Sequence, residues 1–367
     1  MRTKTINIIY KATLSVALIS ILINCNNKKS DFHLPYNESI KEREVILSNL
    51  KNISRQDSII YKNETIYLDN RVFIKGAKDL LVILNKKIIY LLDNKFKVLF
   101  KLDFRDNDYL LNGPIRDIDI YDNRIYLLDS NSDIIIYDLN DSSYKKITVD
   151  KKIFNEINFR TAINISVLGY DKYLLTNIIV PRDNQLKKEN ILLGIVVDAK
   201  GKLVRSITFK CSDSDYEQWN LVGDRIFARK LNNTVVFSFW LTKTAVVYNY
   251  SANTYFVKEL KVDSDWEKPK VKGGIIKMGE GIYAEEILHQ PVNLNGLQVG
   301  NKQIFQIINR HKKSPIVVQY DSQLNEIESK EFIDTEFMIG DISKLFMIHL
   351  VQNRIILQSA NELYHYE

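Results

Sequence analysis

Residues 113–140 read GPIRDIDIYDNRIYLLDSNSDIIIYDLN, and this stretch decides the fold. It holds three runs rich in Ile, Tyr and Leu, at 115–121, 124–129 and 133–139, separated by Asp-Asn and Asp-Ser-Asn-Ser. β-branched and aromatic residues favour strands, whereas Asn, Asp and Ser favour turns. With a fourth run at 144–149, the pattern predicts a four-stranded antiparallel meander of about 40 residues, the spacing of one β-propeller blade.

Similar groups of strand-like runs lie on both sides of this blade. We predict further blades at 71–103, 161–210, 218–262 and 271–332, the last of them irregular because it holds one run too many. No stretch shows helical caps together with helical periodicity over three turns.

The C-terminal segment 340–367 holds only three runs. Propellers commonly close their ring by pairing strands from both termini, and we predict that Ser58 to Leu68 supplies the missing strand. The sequence therefore predicts an all-β, six-bladed propeller of four-stranded antiparallel blades, closed by an N-terminal strand. Five blades are the alternative, since the register after Val271 is insecure.

The N-terminus has the pattern of an export signal. Residues 1–10 are basic, and residues 12–23 are apolar but too few to span a bilayer as a helix. The sequence Leu-Ile-Asn-Cys at 22–25 resembles a bacterial lipobox, with Asn24 in place of the usual Gly, Ala or Ser. Acylation of Cys25 would anchor the protein, because each buried methylene contributes about 0.8 kcal/mol. The alternative is a secretory signal in which Cys25 is incidental.

These features divide the chain into three regions. We predict a signal peptide at 1–24, a polar tether at 25–44 and a single propeller domain at 45–367. The only other cysteine is Cys211, so acylation of Cys25 would leave no pair for an internal disulfide. We predict that Cys211 is buried.

The lipobox-like Cys25 and the phrase around Ile-Tyr-Leu-Leu-Asp at 125–129 resemble a known group. They are similar to the exported six-bladed β-propeller lipoproteins of Bacteroidota, whose blades are NHL-like and TolB-like. The match is close only over 113–140, and the Gly-Pro-Gly-Glu-Phe phrase of many such propellers is absent. The resemblance implies a protein of the cell envelope, anchored to the outer membrane and facing the periplasm or the exterior. It implies no particular chemistry.

The charge and motif content excludes several function classes. The formal net charge is +6, and three of the basic residues lie in the first 24 positions, so a nucleic-acid surface is not predicted. Neither Gly-x-Ser-x-Gly nor a His-x-x-x-His pair occurs. We predict no catalytic residue and no metal ligand.

Two groups of acidic residues are candidates for metal sites. Residues 129–133 start like a calcium loop, but Ile134 and Asn140 stand where such a loop needs Gly and a bidentate Glu. A hairpin turn capped by Asp and Asn explains the segment better. Likewise Asp117, Asp119 and Asp122 are predicted to be turn and rim carboxylates.

A binding site would lie at the mouth of the central channel, where the strand ends of all blades converge. Arg and aromatic side chains near predicted strand ends favour anionic, peptide or sugar ligands. The candidate ligand-binding residues are Arg116, Arg160, Trp219, Trp240, Tyr283 and Glu285.

The sequence therefore predicts a monomeric, lipid-anchored propeller that binds a ligand or a protein, or acts as a scaffold. Its partners would be the membrane and a protein, a peptide or a glycan, without a cofactor. One alternative is a hydrolase or lyase with a calcium-assisted site at the channel mouth. Another is a structural component of an envelope complex, which would expose a broad apolar patch on one rim.

Overall fold

The computed structural model describes residues 53–366 apart from internal gaps, the longest of which are 105–112, 181–185, 263–269 and 332–345. The predicted signal peptide, Cys25 and the tether lie outside the described residues. None of the helices within the described part of the chain is long and apolar enough to cross a membrane.

Antiparallel sheets of four or five strands follow one another along the chain. Strand β1 is Ile53–Gln56, and β2, Ser58–Tyr61, forms a hairpin with β3, Glu64–Tyr67. The next sheet has the order β4, Phe73–Ala77; β5, Leu80–Asn85; β6, Ile88–Leu92; and β7, Val98–Asp103. It is followed by a sheet of β8, Ile115–Tyr121; β9, Arg124–Asp129; β10, Ile134–Asp138; and β11, Tyr144–Ile147.

The middle of the chain forms two further sheets. The first contains β12, Asn164–Gly169; β13, Lys172–Thr176; β15, Ile191–Asp198; and β16, Leu203–Phe209. The short strand β14, Ile178–Ile179, leaves it and pairs with the next sheet. That sheet continues with β17, Asp224–Leu231; β18, Thr234–Phe239; β19, Thr244–Asn249; and β20, Thr254–Glu259.

The C-terminal part is less regular. Strands β21, Lys270–Met278, and β22, Ile282–Leu288, form a separate hairpin. The following sheet contains β23, Val292–Leu294; β24, Gln298–Val299; β25, Ile304–Arg310; β26, Lys313–Tyr320; and β27, Glu326–Glu331. The last sheet has the order β1, then β30, Glu362–Tyr366; β29, Arg354–Ser359; and β28, Phe346–Val351.

The architecture is an all-β propeller, but three details of the prediction are wrong or unconfirmed. The run Ser58 to Leu68 does not join the C-terminal strands, because β2 and β3 pair with each other. Uniform four-stranded blades are wrong, since two sheets have five strands. The count of six blades is not confirmed, because the strands between 270 and 331 divide into a separate hairpin and a sheet in which the short β23 and β24 share the neighbour β25.

Two α-helices connect strands among the residues that the structure describes. Helix α1, Lys151–Glu156, begins after Asp150, whose side chain accepts a hydrogen bond from Lys152 N. Helix α2, Asp213–Val222, begins after Ser212 and ends at Gly223, whose φ is 68°. The prediction that the blade starts near Gln218 is therefore wrong, since Gln218 lies within α2. A 3-10 turn spans Lys188–Asn190.

Apolar clusters fill the spaces between successive sheets, and strand β9 shows how. Ile125 and Leu127 pack toward the sheet of β4 to β7, whereas Tyr126 and Leu128 pack toward the sheet of β12 to β16. Successive strand residues point to opposite faces, so a sheet covered on both faces needs apolar residues at every position. This explains the nearly continuous apolar runs in the sequence.

One turn recurs at four hairpins and fixes their geometry. The first residue is Asp93, Asp129, Asp198 or Asp321, and its carboxylate accepts the backbone N–H groups two and four residues later at 2.8–3.0 Å. The residue three positions later has a φ of 58–73°, a left-handed conformation that favours glycine. These residues are Phe96, Ser132, Gly201 and Leu324. The predicted hairpin turn at 129–133 is thus confirmed.

We predict that Asp198→Ala lowers the free energy of unfolding by roughly 1 kcal/mol at pH 7, because two amides lose their acceptor. The hydrogen bonds from Lys202 and Lys200 lower the pKa of Asp198, with burial opposing them. The stabilisation is therefore present above the ordinary carboxyl pKa and is lost as the pH falls through the lowered one. Urea unfolding at pH 7 and pH 3 measures this, and a difference between the two proteins that stays constant would contradict it.

Candidate functional site

Strands β8 and β12 belong to consecutive sheets and run side by side in parallel. Asp117 Oδ2 accepts a hydrogen bond from Ile165 N at 2.8 Å. Two residues further along both strands, Asp119 Oδ2 accepts from Val167 N at 2.7 Å. Because the partners advance together, both strands point the same way. The sheets are thus joined by side chains rather than by a backbone ladder.

Strand β17 continues this arrangement on the other side of β12. Asn164 Oδ1 accepts from Ala228 N at 3.1 Å, and Lys230 Nζ donates to Leu168 O at 2.8 Å. The partners again advance in the same direction. We call β4, β8, β12 and β17 the inner strands, since each contacts the next across successive sheets. Strands β8, β12 and β17 therefore start on one face of the propeller and finish on the other.

A buried polar network crosses the four inner strands. Lys75 Nζ on β4 donates to Asp117 Oδ1 on β8 at 2.8 Å. Asn164 Nδ2 on β12 donates to the other oxygen of Asp117. Asn164 Oδ1 in turn accepts from Ala228 N and, at 3.3 Å, from Arg229 Nη1 on β17. A single chain of hydrogen bonds thus connects four sheets.

The ion pair at the centre of the polar network is almost completely buried. The side chains of Lys75 and Asp117 are each 5% exposed. Burial lowers the pKa of Lys75, the nearby Asp117 carboxylate raises it, and Arg229 lowers it again. A buried pair contributes little net stability, but removing one partner leaves a charge buried without compensation.

We predict that Asp117→Ala lowers the free energy of unfolding by about 3–5 kcal/mol, because the ammonium of Lys75 loses its counter-charge. The double variant Lys75→Met/Asp117→Asn should be more stable than Asp117→Ala, since it buries no charge at either position. Urea unfolding measures both. Equal losses in the two variants would show that the ion pair is not what the site depends on.

A group of aromatic rings lies where the inner strands finish. Tyr121 ends β8, and its ring meets that of Tyr170 edge to face with centroids 5.5 Å apart. Lys230 Nζ lies 5.4 Å from the centroid of the Tyr121 ring. Burial raises the pKa of Tyr250, and the nearby Tyr121 raises it further. We call Tyr121, Tyr170, Tyr250 and Lys230 the tyrosine cluster.

Tyr170 is the exposed member of the tyrosine cluster. It is 54% exposed, and a hydrogen bond with Asp122 raises the pKa of its hydroxyl. Asp122 and Asn123 have φ values of 47° and 54°, as in the tight turn that suits a two-residue β-hairpin. The hydroxyl of Tyr173 donates to Tyr170 O at 3.0 Å. The Asp-Asn turn and these bonds hold the ring in place.

At the start of β17, the buried carboxylate of Asp224 accepts hydrogen bonds from several N–H groups. It accepts from Trp219 Nε1 at 3.1 Å and from the backbone N of Arg225, Trp240 and Leu241 at 2.7–3.1 Å. The guanidinium of Arg225 lies 4.7 Å from the centroid of the Trp240 ring, a cation–π distance. Asp224 therefore positions both tryptophans.

Burial raises the pKa of Asp224 to about 7, although its N–H donors oppose this shift. Between pH 4 and 7, roughly, the folded protein holds a proton that the unfolded chain has released, so the contribution of Asp224 to stability falls as the pH rises through this range. We predict that the stability difference between the protein and Asp224→Asn changes in that window and is constant above it. Urea unfolding from pH 4.5 to 8 measures this, and a pH-independent difference would contradict it.

The structure places the sequence-predicted site residues in several locations. Arg116 is half-buried at the start of β8, and Arg160 is exposed just before β12, where its backbone N donates to Asn177 Oδ1. Trp240 is partly buried beside the start of β17. Trp219 is fully buried, with the centroid of its ring 4.6 Å from that of Phe239, so it belongs to the core beneath the surface.

The remaining predicted residues lie on other segments of the chain. Tyr283 and Glu285 lie on β22, which pairs with β21. Cys25 lies outside the described residues. Cys211 is buried, as predicted, and burial raises the pKa of its thiol to about 11. Within the described part of the chain, no three His, Cys, Asp or Glu side chains are grouped so that they could hold a metal ion.

Sequence reasoning missed the polar network. Asp117 and Asp119 were expected to be turn and rim carboxylates, which is wrong, because both lie within β8 and Asp117 is buried. The available signal was their alternation with Ile118 and Ile120, which places both carboxylates on one face of a strand. Lys75 is likewise a charged residue within a strand of mostly apolar residues, β4.

The tyrosine cluster was also missed. Tyr121 and Tyr170 each directly precede an Asp at a turn that follows an inner strand. Parallel inner strands finish on the same face, so this repeated position indicates that the two rings share one rim. The prediction of an aromatic mouth named other aromatic residues.

Comparison with known proteins shows similarity in fold only. No family model matches the chain, and no curated protein matches it in sequence. A Bacteroides fragilis protein inferred to be exported is 11% identical, with 83% of each chain covered and a TM-score of 0.47. BamB from Moraxella catarrhalis is 12% identical, with 87% of this chain and 99% of BamB covered and a TM-score of 0.42.

A third similar structure is the β-propeller domain of Cps50 (Swd1) from Myceliophteria thermophila. It is 8% identical, with 86% of this chain and 99% of that domain covered and a TM-score of 0.41. All three scores lie below 0.5. The assignment of the propeller fold therefore rests on the sheets of this chain, and the neighbours carry no argument about function.

Proposed function

We propose that this protein is a binding module of the cell envelope, a propeller that recognises a ligand or a partner protein while a lipid on Cys25 holds it at the outer membrane. The observation that carries the proposal is the tyrosine cluster. It presents an exposed aromatic ring, Tyr170, at the rim where the inner strands finish, and holds that ring by bonds to its neighbours. Rigid exposed tyrosines supply large contact areas at a low cost in entropy.

The carboxylates of the inner strands support binding over acid–base chemistry. One oxygen of Asp117 accepts from Lys75, and the other from Asn164 and Ile165. One oxygen of Asp119 accepts from Ile120 N and the other from Val167 N. Carboxylates engaged in this way serve as structural links between sheets. The alternative of a calcium-assisted hydrolase or lyase is favoured by no specific observation.

The N-terminal sequence supports the location. A basic start, an apolar stretch at 12–23 and Cys25 directly after it favour export and acylation. The polar residues 26–44 then give the propeller a tether. The proposed partners are the membrane, through the lipid, and a protein, peptide or glycan at the rim. The propeller is proposed to act as a monomer.

We predict that the protein incorporates a labelled fatty acid in its native host and that Cys25→Ser abolishes the label. Without acyl chains, the protein should move from the membrane fraction to the soluble fraction, because no buried methylenes hold it. Cys211→Ser is the matched control and should keep the label. Label that persists in Cys25→Ser would contradict the anchor.

Binding at the rim is tested by photo-crosslinking in intact cells. A photoreactive amino acid at position 170 should give a defined adduct, whereas the same group at position 67, a more exposed tyrosine on the β2–β3 hairpin, should not. Titration calorimetry of the purified protein with calcium is the second measurement. Stoichiometric calcium binding together with hydrolysis of a substrate would favour the enzyme and overturn the binding module.

A further inference from the structure

We propose that the tyrosine cluster binds a neutral saccharide, with the exposed face of Tyr170 as the surface on which a sugar ring stacks. This inference rests on the proposed binding function and names the class of ligand. Three properties of the rim support this inference. They are a packed aromatic ring, open space beside that ring, and both hydrogen-bond donors and hydrogen-bond acceptors around it.

The ring of Tyr170 is fixed before any ligand arrives. It is 54% exposed, yet it stands at 80° to the Tyr121 ring with 5.5 Å between centroids. The nearby Asp122 raises the pKa of its hydroxyl, and its carbonyl accepts from the hydroxyl of Tyr173 at 3.0 Å. These contacts leave more than half of the surface of Tyr170 open. A ligand that stacks on this ring orders no new side chain, which reduces the cost of binding.

The space beside Tyr170 is open. Gly169 directly precedes it at the end of β12, and a Cβ added to Gly169 would meet no atom within 4 Å. The φ of Gly169 lies outside the left-handed region, so the backbone conformation does not require glycine here. The pairing of β12 with β13 is irregular between Val167 and Gly169, and a glycine at such a place also leaves room for a ligand to approach the backbone. A sugar ring can therefore lie along this segment.

The charges around the ring favour a neutral ligand. Asp122 supplies an acceptor and Lys230 supplies a donor, and the exposed Asp171 and Lys172 add one charge of each sign. A cationic ligand is disfavoured at Tyr121, because the ammonium of Lys230 already lies 5.4 Å from the centre of that ring. Arg124 also acts on the Tyr170 hydroxyl, but it is paired with Asp138 at 2.8 Å, so the positive and negative groups around the ring balance and favour no ionic ligand.

A saccharide satisfies all three properties at once. One face of a hexose ring presents C–H groups that pack on an aromatic ring, while its edge carries hydroxyls that both donate and accept. Asp122 accepts from such a hydroxyl, and Lys230 donates to one. Tyrosine is suited to this task because it combines an apolar face with a polar end.

Saturation-transfer NMR and a glycan array test the proposal on the full-length lipidated protein in detergent micelles. The probes are neutral oligosaccharides of hexoses and of N-acetylhexosamines. We expect binding of at least one series, with affinity reduced tenfold or more in Tyr170→Ala and in Gly169→Leu, whose new side chain occupies the open space. Tyr170→Phe should retain most of the affinity, since it keeps the stacking face.

Tyr67→Ala is the matched control, because Tyr67 is 72% exposed but lies on the β2–β3 hairpin, and it should bind as the unaltered protein does. Each variant must keep the urea midpoint of unfolding, which separates lost binding from lost folding. Saccharide binding that survives both Tyr170→Ala and Gly169→Leu would overturn the assignment of the site.

The saccharide and the binding module fail in different ways. If no oligosaccharide binds while the photoreactive group at position 170 captures a protein, the ligand class is wrong and the binding function stands. If neither oligosaccharides nor proteins engage position 170, both proposals are wrong.

Discussion

The carboxylate of Asp117 joins sheets that share no backbone ladder. The backbone ladder of a blade joins the strands within that blade, but nothing in that ladder fixes how one blade sits against the next. Apolar packing between sheets is not directional and tolerates sliding. Asp117 adds direction, since it contacts Lys75 on one neighbouring sheet and Asn164 and Ile165 on the other at hydrogen-bond distance. The parallel alignment of the inner strands, and with it the position of each rim, depends on such contacts.

The strands that were predicted best are those whose ends are set by local chemistry. In 113–149 the predicted runs agree with β8 to β11 to within about two residues, because Asp-Asn and Asp-Ser-Asn-Ser mark turns by their own hydrogen bonds. Strand partners are a different matter. Ser58 to Leu68 has a strand composition, but composition does not say that it pairs with itself rather than with the C-terminal strands. Helix α2 was not predicted, although Ser212 and Gly223 are residues typical of a helix start and a helix end and lie at its two termini.

In the candidate site, too, local features could be predicted and contacts between distant residues could not. That Arg and aromatic residues lie near the ends of inner strands follows from strand boundaries, and Arg116, Arg160 and Trp240 do lie near strand starts. Which side chains meet depends on how neighbouring sheets align, and this is decided by pairs 40 or more residues apart, such as Lys75 and Asp117. The charge of a residue such as Asp117 within an apolar strand suggests a surface position. Its alternation with isoleucine was the evidence that it faces inward.

The shared direction of β8, β12 and β17 gives the molecule two unlike faces. Arg116, Arg225 and Trp240 lie toward the starting ends, and Tyr121 and Tyr170 lie toward the finishing ends, so the two faces of the propeller differ in chemistry. A partner on one face and a partner on the other would meet different chemistry and would not compete for the same groups. If two partners bound in this way, the thickness of the propeller would set the distance between them.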